Sequence, residues 1–232
     1  MIALARMRTA GFLRSGRALA PLVAVLVVLS VLYGGGPSPA AEAYGYSAAA
    51  LFAVLAWITK LVLDIEPDVQ RQLARLAVGP AREATAGLLA AAVLGAGVCL
   101  LAMLAPWAFG GIRGPVAGSD EPSTGVGVLL GGAAHLLALL GALALGALAG
   151  RAVTRRVLPG VAVLVTGSIL VIVLGLRDSI VPWLVPPVMA TARALSEGAA
   201  PAAGTVLGLA GWTLLWCAVV FAVYARLRRG RS

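Results

Sequence analysis

His135 is the only histidine in the chain and falls inside an apolar run, where an imidazole is able to carry a proton or contact a substrate path. A single histidine among packed helices has a plainer use, a hydrogen bond to a neighbouring helix. Hydrolytic or metal chemistry needs more than the chain holds. One His and two dispersed cysteines, Cys99 and Cys217, supply no Cys/His metal cluster, no H-E-x-x-H helix and no Ser/His/Asp set. The only lysine stands in Ile58-Thr59-Lys60-Leu61, so the phosphate-cradling G-x-x-x-x-G-K-[ST] loop is absent. All nine acidic residues, Glu42, Asp64, Glu66, Asp68, Glu83, Asp120, Glu121, Asp178 and Glu197, lie in loops or at the ends of apolar runs. Proton relays and coupling-ion sites are built instead from groups within the runs. The expectation is a chain that is not an enzyme and binds no cofactor or metal of its own.

The elements that would position these residues are six apolar stretches: Ala18 to Tyr33, Tyr46 to Leu63, Ala84 to Phe109, Gly125 to Gly150, Leu158 to Leu176 and Gly204 to Tyr224. A hydrocarbon core of about 30 Å takes about twenty helical residues to cross. Fifteen of the eighteen basic residues fall in four of the seven segments between and around these runs, and those four alternate. By the positive-inside rule both termini are cytoplasmic. The fold class expected is therefore an all-α polytopic membrane protein with six transmembrane helices, forming one domain over residues 18–225. A basic segment, 1–17, precedes it and a basic tail, 226–232, follows.

With 61% hydrophobic and 12% charged residues and a mean hydropathy of +1.00, the composition excludes an ordinary soluble domain. The net charge of +9 is dispersed among short loops, which suits topology and anionic membrane lipids rather than nucleic acid. Cys99 and Cys217 sit within runs and act as small apolar side chains. Arg outnumbers Lys seventeen to one, the bias of a GC-rich bacterial genome.

The N-terminus admits two readings. Four arginines, an apolar run from Leu19 to Leu32 and the small-x-small triplet Ala41-Glu42-Ala43 fit a cleaved secretory signal. The long basic leader, and the break at Gly34-Gly35-Gly36-Pro37 well before that triplet, favour a retained first span. Leu4, Met7, Phe12 and Leu13 alternate with Arg6, Arg8, Arg14 and Arg17, as in a helix lying on the cytoplasmic interface; an unstructured basic tail is the other possibility.

Two loops exceed simple connections. In Asp64 to Glu83, Glu66 is a candidate N-cap, Pro67 suits the first helical position, Asp68 complements the helix N-terminus, and Gly79-Pro80 stops the helix. Val69, Leu73, Leu76 and Ala77 recur at helical spacing. The product is a short amphipathic cytoplasmic helix, either floating at the interface or docking a partner. Its polar candidates are Asp68, Gln70, Arg71 and Arg75, followed by Arg82 and Glu83. On the other side, the apolar connection from Leu176 to Ala203 is interrupted by Pro182, Pro186 and Pro187, so a continuous span is not expected. It reads as a re-entrant or interfacial pair of short helices, with Trp183 at headgroup depth. Glycine pairs at four-residue spacing, Gly127/Gly131, Gly146/Gly150 and Gly204/Gly208, are candidate sites of close helix packing.

This layout resembles the membrane subunit of a type-2 ABC exporter. That family has six spans, cytoplasmic termini, a leading interfacial helix, a docking helix between spans two and three, and re-entrant helices between spans five and six. The local likeness is strongest over Asp68 to Ala92, DVQRQLARLAVGPAREATAGLLAAA, a charged helix, a Gly-Pro break and an apolar span. Several members carry a Gly-Thr pair in that helix and a basic residue at the start of span three; here Arg71-Gln72 and Gly87-Leu88 stand instead, which leaves subfamily and cargo open. The resemblance implies a bacterial plasma-membrane permease working as a dimer with a second copy or a related permease. It also implies a separate ABC ATPase subunit that carries the ATP and Mg, engaged through Gln70, Arg71 and Arg75. A secondary transporter and a non-transporting membrane anchor or immunity protein are the alternatives.

Overall fold

The computed structural model describes residues 1–229; Arg231, counted above in the basic tail, lies outside them. Among the described residues the regular structure is helical apart from one two-residue strand pair. Among the described residues five helices are long and apolar enough to cross a membrane: α3 (Ala40–Leu63), α5 (Pro80–Phe109), α6 (Thr124–Ala149, prolonged after Gly150 by the single turn α7, Arg151–Thr154), α8 (Val157–Leu174) and α10 (Ala203–Arg229). The first expected span differs. Its helix, α2 (Leu19–Tyr33), has 15 residues, about 22 Å at 1.5 Å each, short of a 30 Å core. It makes a sixth candidate only together with α1 (Ile2–Arg14), from which it is bent by 77°.

α3 begins at Ala40, six residues before the expected span, because Pro39 is extended and starts the helix. The triplet Ala41-Glu42-Ala43 therefore lies in the first turn of α3, with Ala41 and Ala43 buried. Just before it, β1 (Ser38–Pro39) pairs in parallel with β2 (Ile112–Arg113). Beside this pair Arg113 grips Glu121 through two hydrogen bonds of 2.8 and 2.6 Å. That grip, with the Val116 N–H, holds the Glu121 carboxyl at about 2.

The centre of the bundle is the parallel pair α3 and α6, the two helices that bury most of themselves, whereas α8 and α10 bury least. Small residues let the two backbones close. Gly127 abuts Ala40, Gly131 lies under the Tyr44 ring, and Gly146 abuts Thr59 and the Ala56 carbonyl. Gly150 meets only its own helix and Asp64, and Gly204 and Gly208 face open space, so two of the three expected glycine pairs are not packing pairs as such.

α5 carries Pro106, which cannot bond the Ala102 carbonyl one turn earlier. The Tyr33 hydroxyl reaches that carbonyl at 3.5 Å, tying α2 to α5. At the same end Tyr44 donates to the Met103 carbonyl and accepts from the Trp107 indole, at 2.8 and 2.9 Å.

Candidate functional site

One end of the bundle gathers the C-termini of α3, α6 and α10, the N-termini of α5 and α8, and the helices α1, α4 (Asp68–Val78) and α7. Here seven charged side chains are at least nine-tenths buried: Arg8, Lys60, Asp64, Glu66, Arg71, Glu83 and Arg228. Ions removed from water need full pairing, and the geometry supplies it.

Glu83 is the hub. Its Oε1 accepts from Arg8 at 2.6 Å, while its Oε2 accepts from Arg228 and, at 3.4 Å, from Arg75. Arg8 spans two carboxylates, giving its Nε to Glu66 Oε1 at 2.9 Å, its Nη2 to Glu66 Oε2, and its Nη1 to the Glu83 carbonyl at 2.9 Å. Arg228 also donates to the Tyr224 hydroxyl at 2.9 Å. A second knot lies alongside. Lys60 donates to Asp64 one turn on, at 2.6 Å, and Asp64 accepts the Arg151 backbone N–H at 2.7 Å, so it caps the start of α7. Arg151 returns a guanidinium hydrogen bond to the Asp64 carbonyl at 2.7 Å. One connected set of charges thereby joins the N-terminal helix to the C-terminal one.

The residues expected to dock a partner divide between the two faces of α4. Arg71 points inward to the Leu63 and Glu66 carbonyls, at 3.3 and 3.4 Å. Burial pulls its guanidinium below the usual arginine value, against the pull of Asp68. Arg75 leans on Glu83, which is itself buried. Asp68, Gln70 and Arg82 are exposed, and so is the apolar stripe Val69, Leu73 and Leu76. The helix thus turns a polar face to the bundle and an apolar one away from it. The expected cap is also displaced by one residue. Pro67 is the N-cap and Asp68 the first helical residue, because the Glu66 carboxylate is committed to Arg8. Gly79, at φ 87°, makes the turn that lets α5 start immediately at Pro80.

Arg8, Asp64, Glu66, Arg151 and Arg228 were not expected as partners of this cluster. The Lys60–Asp64 spacing of four is a readable helical pair. Arg8 lies on the stripe Ala5–Arg8–Phe12 that α1 buries, while Met7 and Leu13, assigned above to an interfacial apolar face, are exposed.

His135 faces α3 from the middle of α6. Its Nδ1 is 2.8 Å from the Gly131 carbonyl, which only accepts, so that nitrogen carries a proton; its Nε2 is 3.2 Å from the Ser47 hydroxyl. The ring is 1% exposed and stands edge-on to Tyr44 at 6.1 Å. Both nitrogens are used, Nδ1 within α6 and Nε2 in joining α6 to α3. Among the described residues no three of His, Cys, Asp and Glu converge as metal ligands.

Between α8 and α10, Pro182–Leu184 form one 3₁₀ turn and Val188–Ser196 form α9. Trp183 and Pro182 are exposed, whereas Pro186 and Pro187 are buried. Pro186 packs with Phe52 around Gly141, midway along α3 and α6, and α9 then runs back past Gly45 through Ala192 and Leu195. Trp216 of α10 donates to the Leu184 carbonyl at 2.9 Å. A groove of about 660 Å³ lies on the other flank between α2, α3 and α8, bounded by Trp57, Lys60, Leu164, Ser168 and Ile172. The buried Ser168 hydroxyl on its wall has no hydrogen-bond partner among the described residues.

Comparison with protein-family models, with curated proteins and with solved structures finds no match to this chain.

Proposed function

We propose that this chain is the membrane permease subunit of an ATP-driven exporter of the type-2 ABC kind, in a bacterial plasma membrane with both termini cytoplasmic. The observation that carries the reading is α4. Its inward arginines fasten it to α3 and α5, and Glu83 links it on to α1 and α10, while Val69, Leu73 and Leu76 remain exposed on the opposite side. A helix so held is suited to receive a push from a partner and pass it to several spans at once. Useful coupling requires that the partner bind two bundle states with different affinity.

In this reading a separate ATPase, carrying the ATP and Mg, seats on the α4 stripe, with Asp68, Gln70 and Arg82 around it. A second copy or a related permease completes the path, and the turn at Pro182 to Pro187 is re-entrant from outside. The apolar groove beside Ser168 and the confinement of carboxylates to the ends of the spans suit an amphiphilic or apolar cargo rather than a small ion.

The test is the double substitution Leu73→Glu, Leu76→Glu, on side chains 60% and 85% exposed. Recruitment of the ATPase to membranes is expected to fall at least tenfold with insertion unchanged. Undiminished recruitment contradicts the docking role. Orientation has its own measurement. A cysteine at Ser123 is expected to react with an impermeant maleimide added to intact cells, and one at Thr154 only after permeabilisation; the reverse pattern inverts the topology. The native Cys99 and Cys217 are buried and give little background.

A further inference from the structure

The Glu83 hub has more cations than its carboxylate balances on one side. Arg8 is shared with Glu66, but Arg75 and Arg228 both rely on the single oxygen Oε2 of Glu83. Those two arginines, with Arg229, line a cavity of about 310 Å³ between the start of α5 and the end of α10. Its remaining wall is apolar, formed by Pro80, Ala81, Ala84, Tyr224 and Ala225.

We propose that this cavity binds the headgroup of an anionic phospholipid, with the phosphate between Arg75, Arg228 and Arg229 and the glycerol end against Ala84 and Ala225. Guanidinium forks match phosphate oxygens, and basic cavities between spanning helices on the cytoplasmic side suit acidic lipid headgroups. Two of the helices long and apolar enough to span a membrane, α5 and α10, end here, so the cavity stands at the level where spans leave the apolar layer. The apolar wall selects the source. Inorganic phosphate gains nothing from five such residues, whereas a lipid buries its glycerol and upper acyl carbons on them. An acidic protein segment is less suited, because the cavity lies between two spans and not on the outer stripe of α4. The bound phosphate would complete the charge of the hub and make the α4–α5 elbow sensitive to the lipid beside it. The inference rests on the membrane-spanning reading but not on the exporter reading, and it holds whether or not an ATPase binds.

Native mass spectrometry of the full chain in mild detergent tests it, with phosphatidylglycerol, phosphatidylcholine or inorganic phosphate added in turn. Wild type is expected to retain phosphatidylglycerol on the order of tenfold better than phosphatidylcholine. The variant Arg75→Gln, Arg229→Gln leaves Glu83 paired with Arg8 and Arg228 and is expected to lose that preference, while Arg75→Lys, Arg229→Lys keeps most of it. Equal retention of the two lipids by wild type overturns the proposal, as does undiminished preference in the glutamine variant. Displacement of the lipid by an equal concentration of inorganic phosphate overturns the lipid assignment in favour of a bare anion. If the glutamine variant keeps its lipid but loses a co-purifying protein, the surface belongs to a protein partner and the proposal fails.

Discussion

Glu83→Ala is expected to destabilise the folded protein by about 3–5 kcal/mol, because it leaves the guanidiniums of Arg8, Arg75 and Arg228 facing one another with one carboxylate fewer. The pairing itself is a modest net gain, since the desolvation of buried ions offsets most of their attraction. Removing one partner is a different matter, for the desolvation remains and the attraction does not. Arg8 keeps Glu66, but among the described residues Arg75 and Arg228 pair with no second carboxylate. The loss should therefore be concentrated at α4 and the end of α10. Unfolding in detergent checks the size of the effect, and limited trypsin digestion checks its place: cleavage after Arg71 and Arg75 should accelerate in the variant. Glu83→Gln, which keeps the shape and an acceptor but not the charge, should fall between wild type and alanine. Wild-type stability in the alanine variant would mean that the hub is not holding the bundle end together.

Gly146→Ala is expected to cost about 1–3 kcal/mol by overpacking, even though alanine is the better helix former. A Cβ there would stand 2.5 Å from Thr59 Cβ and 2.6 Å from the Ala56 carbonyl oxygen. The second of these is backbone, so relief requires α3 and α6 to move apart and loosens the central pair. Gly208→Ala is the internal control, because nothing lies within 4 Å of the Cβ it adds. Its stability should stay within about 0.5 kcal/mol of wild type. Equal effects at the two positions, read from melting midpoints in the same detergent, would show that close packing is not what Gly146 provides.

The apolar spans and the sorting of basic residues were legible because each depends on local composition alone. The extent of α4 was nearly legible for the same reason, since Pro67 and Gly79-Pro80 punctuate the chain. Its cap was misread by one residue because Glu66 is taken by Arg8, a contact across 58 residues that no local pattern encodes. The faces of α4 were harder still. Periodicity separates Val69, Leu73 and Leu76 from Arg71 and Arg75, but which side meets the bundle depends on what the other helix ends present. Here they present Glu83 and backbone carbonyls, so the arginines turn inward. The Glu83–Arg228 contact closes a separation of 145 residues and gave no sequence signal. Glycine spacing proved informative only where the partner helix was close: Gly127 and Gly131 meet α3, Gly204 and Gly208 meet nothing. The bend between α1 and α2 was invisible to hydropathy, which registers length of apolar sequence and not its direction.

The most direct test of the exporter reading is affinity purification of the tagged protein from its native membrane in mild detergent, after crosslinking, with mass spectrometry of what accompanies it. The account predicts a stoichiometric nucleotide-binding ATPase, crosslinked through α4 and lost in the Leu73→Glu, Leu76→Glu variant. A clean preparation without any ATPase, crosslinked or not, would contradict it and leave a secondary transporter or a non-transporting membrane anchor as the better description.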